Sequence, residues 1–386
     1  MTEAAARPAW RTNLKLFLAT IASVFFTGVV YDYTASKDET FTHSIWNALR
    51  TPSALIHGAQ FAGTLLTILV AHELGHYVAA RIHKVDASLP FFIPMPLISP
   101  FGTMGAVIRM RGVIPTRRAL LDIGASGPLA GLLFAIPLYA WGVAHSRVLP
   151  LPDDGSAMTL GDSLLLRVLD GTFAPPKMPG TDIFLSPIAF GAWGGMFVTM
   201  INLLPVGQLD GGHVAYALFG PKQDRYARLV HRAMLGFFFL IVVGHLARDF
   251  GAGRGFYDVG KHLANAVVWI VWFQLLAILG LVSARGRGDD PAPGSLTIGT
   301  RVAATIGLVV VASMGRDSHK PILPIAFFAG LALLVAMERK GGVLKKHELL
   351  DHPATGDEPL DKARAAVAIL TLVAFVLLFM PEPFSM

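Results

Sequence analysis

Leu65-Leu66-Thr67-Ile68-Leu69-Val70-Ala71-His72-Glu73-Leu74-Gly75-His76-Tyr77-Val78-Ala79-Ala80 is the stretch that decides the fold. It is apolar enough to cross a bilayer as a helix, which takes roughly 20 mostly apolar residues. It nevertheless carries three ionisable side chains. Such residues are costly inside an apolar span and usually functional. His72 and His76 are four apart, so both imidazoles leave one face of the helix. That is the spacing with which two histidines share one Zn²⁺. Glu73 sits one residue on, placed to reach a water on the metal without ligating the metal. Zinc lowers the pKa of such a water, and a carboxylate can then take its proton.

The rest of the chain agrees with a membrane setting. Of 386 residues, 53% are hydrophobic and only 15% charged, against about 25% charged in soluble domains. Apolar runs lie near 14–32, 57–82, 119–144, 183–204, 229–247, 263–283, 298–314, 322–337 and 364–380. The expected fold class is therefore an all-α polytopic membrane protein. Tyr31 to His43 reads as a loop, and so does the Pro/Gly/Asp-rich stretch from Leu149 to Thr181. The N-terminal apolar run reads as a span and not as a cleaved signal peptide.

The net charge of +6 comes from short basic clusters at the ends of apolar runs, which points away from nucleic acid. Arg81, Lys84, Arg117 and Arg118 belong to one of the two largest such clusters, and by the positive-inside rule they face the cytoplasm. With alternating spans this places the His72–His76 end of its helix, and the end of the fourth run, on the cytoplasmic side.

There is no cysteine, which excludes thiolate metal sites and cysteine nucleophiles. A catalytic zinc usually has three protein ligands and an open position. The best candidate for the third is Asp210, in Asn202-Leu203-Leu204-Pro205-Val206-Gly207-Gln208-Leu209-Asp210-Gly211-Gly212-His213. Pro205 and Gly207 break the helix there, so the chain can turn back. Asp122 is the competitor, but with Arg117 and Arg118 nearby it reads as half of a structural ion pair. His213 reads either as a donor orienting the Asp210 loop or as a plain structural histidine. His83, His231, His245 and His262 flank spans and read as interfacial.

Leu89 to Ile114 is apolar yet carries Pro90, Pro94, Pro96 and Pro100. Proline at that density excludes a helix. Val107, Ile108 and Met110 fit a strand after it. The expectation is a small re-entrant loop and β-hairpin beside the metal site, offering an edge with which an extended peptide can pair. Gly124, Gly127, Gly131 and Ala135 place small residues along the third run, which reads as close helix packing.

His72-Glu73-Leu74-Gly75-His76, with Asn202-Leu203-Leu204-Pro205 and Leu209-Asp210-Gly211-Gly212, resembles the site-2 protease family of intramembrane zinc metalloproteases. Gly102 to Ile108 and Asp122 to Gly131 also resemble family segments. The resemblance covers residues 57 to 218. It implies one Zn²⁺ per chain on His72, His76 and Asp210, with Glu73 as general base. It also implies that Asn202 contacts substrate or stabilises the oxyanion.

The segment from Ser146 to Asp182 is too short for the PDZ domain that many relatives carry there, so a minimal form is expected. The chain then divides into a first span and loop (1–56), a catalytic membrane core (57–218) and C-terminal spans of unassigned role (219–386). The implied partners are the lipid bilayer and a transmembrane protein or peptide substrate. The default location is a bacterial inner membrane, with a plastid membrane as the alternative. The rival function is a metal-binding transporter or an inactive relative. Glu73 argues against a transporter, which has no need of a base beside paired histidines.

Overall fold

The computed structural model describes residues 10–32, 41–96, 99–108, 110–111, 114–151, 159–286, 296–316, 318–345 and 350–385. The basic residues Arg7, Arg109, Arg287 and Lys346 lie outside them. Each of the nine apolar runs forms helix, and the protein is an all-α polytopic membrane protein whose sheets, among the described residues, are all two-stranded. Seven helices among the described residues are long and apolar enough to cross a membrane. The helices of the fourth and ninth runs have only 16 and 17 residues.

The chain forms two compact units. The first is drawn from Met1–Leu151, Ser163–Leu203 and Thr355–Phe379. Its helices are α1 (Trp10–Asp32), α2 (Phe41–Ala48), α3 (Pro52–Ile82), α4 (Arg117–Ala144), α5 (Leu164–Phe173), α6 (Pro187–Asn202) and α13 (Lys362–Leu378). Helix α3 packs on α1, α4 and α6. Phe61, Leu65 and Ile68 of α3, Leu120, Leu121 and Ile123 of α4, and Trp193 and Met196 of α6 are all buried. Small residues let the backbones approach, as membrane helices require. A Cβ at Gly75 would lie 2.5 Å from the Ser126 carbonyl oxygen, and one at Gly142 would lie 2.5 Å from the Ala189 nitrogen.

Between α3 and α4 the proline-rich stretch forms the expected hairpin. Strand β2 (Phe91–Pro94) pairs antiparallel with β3 (Thr103–Val107), with Phe91 opposite Val107. The register shifts between Phe92 and Pro94, the point where proline has no N–H to give. Strands β1 (Asp86–Ala87) and β4 (Met110–Arg111) pair at its base. The strand therefore starts earlier than Val107, and Ile108 lies between two strands.

Backbone carbonyls of this hairpin are satisfied by α1. Asn13 Nδ2 donates to the Leu89 and Pro90 carbonyls at 2.8 and 2.9 Å, and Ser23 Oγ to that of Gly102 at 2.5 Å. Gly102 has φ +73°, and a Cβ there would run into Thr27 and Ser23. Phe101, 3% exposed, closes the loop against Phe190, Trp193 and Phe197 of α6.

Two loop expectations need correction. The Leu149–Thr181 stretch holds α5, whose Leu166 and Leu169 are buried and whose start is capped by Ser163. It also contains the last residues of β5 (Arg147–Pro150), strand β6 (Thr159–Leu160) and the first residue of β7 (Thr181–Phe184); β5 pairs with β7. Its leucine run is far below spanning length, so a span-length criterion passes over it. Tyr31 belongs to α1, and α2 already begins at Phe41. Residues 33–40 and 152–158 lie outside the described ones.

The second unit is drawn from Pro152–Asp162, Leu204–Ala354 and Met380–Met386. It contains α7 (Asp210–Phe219), α8 (Gln223–Gly251), α9 (Val259–Ala266), α10 (Val268–Gly286), α11 (Ile298–Arg316) and α12 (Ile322–Gly341). Strand β8 (Phe384–Ser385) pairs with β6. Arg301, Glu338 and Gln274 form a fully buried polar cluster joining α11, α12 and α10.

Candidate metal centre

Helix α3 starts with Pro52 in its first turn, where a missing N–H does no harm. At 1.5 Å per residue, His72 and His76 lie roughly 15 and 9 Å inside its C-terminal end. They do not snorkel. His72, Glu73 and His76 are 2%, 5% and 6% exposed, while Leu74, Val78 and Ile82 face outward. The helix is polar on the inside and apolar on the outside at this level.

The two imidazoles converge. His72 Nε2 and His76 Nε2 are 3.1 Å apart, with the rings edge to face. His76 Nδ1 lies 2.7 Å from the Ile123 carbonyl oxygen of α4. A carbonyl can only accept, so Nδ1 carries the proton and Nε2 presents a lone pair. Zinc–nitrogen bonds of ~2.0–2.1 Å in a tetrahedral site put two ligand nitrogens about 3.3 Å apart. The observed spacing fits a shared divalent ion, and the backbone partner on His76 is the kind that orients a metal-binding histidine.

Helix α4 makes the space for this arrangement. A Cβ at Gly127 would overlap the His76 imidazole, and one at Gly131 would sit 3.4 Å from His72 Cβ and Nδ1. The small-residue stripe thus does more than bring two backbones together, because two of its members clear room for the histidine rings. Asn202, the last residue of α6, reaches to 3.4 Å from His72 Nε2 through its Nδ2. His72, His76 and Asn202 are therefore brought together within the first unit, with Glu73 buried on the same helix.

Asp210 lies in the second unit, as the half-buried first residue of α7. The expected break is there. Helix α6 ends at Asn202, Gly207 has φ +57°, and a tight turn leads into α7. A Cβ at Gly212 would overlap the Gly207 carbonyl oxygen, so the glycine after Asp210-Gly211 lets the turn fold back on the new helix. A carboxylate in the first turn also suits the helix dipole. His213 Nδ1 lies 2.7 Å from His352 Nε2, and His352 stacks on Tyr216. That partner is far away in sequence, and nothing in the chain pattern announces it.

The other titratable candidates resolve as structural. Asp122 accepts from Arg364 Nε and Nη2 at 3.2 and 3.0 Å and lies 2.9 Å from His83 Nε2. His83 is thus half-buried and paired, not a solvated interfacial group. His231 and His262 are buried, against expectation, and are bonded to the Phe273 carbonyl and to Asp249. His245 pairs with Glu382. Flanking position alone misleads here, because α9 and the C-terminal segment fold back over the helix ends.

Residues 60–243 match the model of peptidase family M50. This segment carries His72, Glu73, His76, Asn202 and Asp210, the residues of the motifs. Three curated relatives are plant proteins. The chain is 30% identical over 220 residues to the probable zinc metalloprotease EGY1, chloroplastic, of Oryza sativa subsp. japonica, covering 54% of this chain and 38% of the relative. It is 34% identical over 182 residues to the probable zinc metalloprotease EGY2, chloroplastic, of Arabidopsis thaliana (45% and 31%). It is 32% identical over 191 residues to EGY1 of Arabidopsis thaliana (48% and 34%). The chain spans about a third of the length of these relatives. No solved structure matches it significantly.

Proposed function

We propose that this chain is an intramembrane zinc endopeptidase that hydrolyses peptide bonds in or near transmembrane segments of membrane-protein substrates. One Zn²⁺ per chain is held by His72, His76 and Asp210, and Glu73 is the general base. The catalytic core is residues 57–218. The observation that carries this reading is the convergence of two imidazole nitrogens, 3.1 Å apart, beside a buried glutamate inside an apolar helix. The donor set of two imidazoles and one carboxylate is one that catalytic zinc uses. The names of the plant relatives agree with it.

Zinc, when bound, supplies Lewis-acid polarisation and a water acidified toward neutrality. The chain's own residues do the rest. Glu73 takes the proton of the attacking water and passes it to the leaving amine nitrogen. Asn202 donates its amide N–H to the carbonyl oxygen as negative charge develops there. Ile123, through its carbonyl, keeps His76 in the tautomer that leaves Nε2 as the ligand. The metal end of α3 faces the cytoplasmic side of a bacterial inner membrane, a placement supported by Arg81 and Lys84 after α3 and Arg117 and Arg118 at the start of α4.

The test compares wild type with Glu73→Gln, which keeps the shape of the side chain but not its basicity. The variant is expected to retain zinc, fold and substrate binding, to lose cleavage, and to leave uncut membrane segments accumulating in cells. Cleavage near the wild-type rate would remove Glu73 from the mechanism. A purified wild-type protein that takes up no zinc would overturn the whole reading.

A further inference from the structure

Arg364 opens α13, more than a hundred residues beyond the family segment, and no motif includes it. Its guanidinium nevertheless reaches the start of α4. Nε and Nη2 both donate to Asp122, and Nη1 donates to Asp361 at 2.9 Å. Asp122 also holds His83 Nε2, just past the end of α3. One carboxylate therefore ties together three helices, α3, α4 and α13. The chain leading into α13 lies along the same place. Thr355 is buried, and a Cβ at Gly356 would lie 3.1 Å from the Pro115 carbonyl oxygen and 3.3 Å from Thr116 Cα.

The position of that tie matters. The residue after Asp122 is Ile123, whose carbonyl fixes His76. His83 stands seven residues, about two turns, beyond His76, as the residue that caps the end of α3. The pair Asp122–His83 and the pair Ile123–His76 thus span the same α3–α4 seam at successive levels. Fixing the first fixes the spacing of the second. A hydrogen bond of 2.7 Å to a backbone carbonyl is sensitive to such spacing, and a partner that orients a metal-binding histidine typically contributes 10–100-fold in metal affinity.

We propose that Arg364 is a positioning residue for the metal centre, acting through Asp122 to set the α3–α4 seam on which the orientation of His76 depends. The C-terminal helix α13 is then part of the catalytic scaffold. This rests on the zinc reading above, and the experiment separates the two. Zinc affinity is measured by chelator competition on the full chain, for wild type, Arg364→Ala, Asp122→Ala and the double variant. Thermal stability is recorded on each preparation at saturating zinc.

Each single variant is expected to bind zinc about 10–100-fold more weakly, and the double variant no more weakly than the worse single. With Co²⁺ as the probe, the absorption spectrum of Arg364→Ala should shift as the coordination geometry changes. If Asp122→Ala does not fold, Arg364→Ala, whose side chain is about a third exposed, carries the measurement alone. A tie that only holds helices together predicts lower thermal stability with zinc affinity and Co²⁺ spectrum unchanged, and that result overturns the proposal. A wild-type chain without zinc overturns this inference together with the reading beneath it. A zinc-loaded wild type with unaffected variants overturns this inference alone.

Discussion

Two groups of polar side chains are buried among apolar helices, and they are built differently. In the second unit, Arg301 and Glu338 oppose their charges, Gln274 bridges them with one donor and one acceptor, and the Val343 N–H adds to the carboxylate at 2.9 Å. Positive and negative charge cancel inside the cluster. In the first unit, His72 and His76 direct their Nε2 atoms at each other, and His76 does so with a lone pair. The two nitrogens meet at 3.1 Å, a spacing that a shared proton or a cation can bridge. Both groups are ionisable residues in spans, which alone suggests function. The difference lies in which groups meet. A cluster that pairs a guanidinium with a carboxylate holds helices together, whereas one that brings two imidazole nitrogens to a point offers a place for a cation.

Breaking the Arg301–Glu338 cluster should give the largest effect. Glu338→Ala leaves the Arg301 guanidinium buried and unmatched, and the expected loss is about 3–5 kcal/mol of stability, read from unfolding in detergent. Replacing both with apolar residues of similar volume should restore most of it, since matched removal of a buried pair is often nearly neutral. A double replacement as damaging as the single would mean that the cluster does more than neutralise itself.

Asn202→Ala sharpens the other side of the comparison. Losing one oxyanion donor typically lowers the rate on the order of 10²–10³-fold. The variant should keep its zinc and its thermal midpoint and cleave that much more slowly. A stable, zinc-loaded variant with an unchanged rate would remove Asn202 from the chemistry. Poor folding or lost zinc would show that it serves to end α6.

The smallest effect is expected at an exposed position that belongs to neither cluster. Asp361 caps α13 and is held below its ordinary value of 3.8 by the Arg364 backbone N–H and then by the Arg364 side chain. A carboxylate depressed in the folded state contributes stability above its unfolded pKa and loses it as pH falls through the folded one. Asp361→Asn keeps a capping oxygen but no charge. The gap in thermal midpoint between wild type and this variant should be small at neutral pH and close below about pH 4. A gap that is the same at pH 3 and pH 6 would show that the charge at this cap contributes nothing.

Much of this molecule is legible in its sequence, because hydropathy and short-range spacing carry it. The apolar runs, the His72–His76 face, the helix break before Asp210 and the proline-rich hairpin all follow from residues within a turn or two of each other. What escapes is the long-range pairing. Arg364 reaches Asp122 from 242 residues away, His213 meets His352, and the Ile123 carbonyl holds His76 with a backbone atom that no side-chain pattern encodes. Helix α5 escapes for another reason, since it is amphipathic and too short for a rule tuned to bilayer thickness.

The hairpin's attachment to α1 has a mechanical meaning. Asn13 and Ser23 grip it at two points ten residues apart, roughly 15 Å along the helix axis. A body fastened at one point can swivel freely, whereas one fastened at two points can turn only about the line that joins them. Sideways travel or tilt of the first helix is therefore coupled to the hairpin through both contacts. The N-terminal helix is the handle of the hairpin, and a force applied to one end of it is felt at the strand edge.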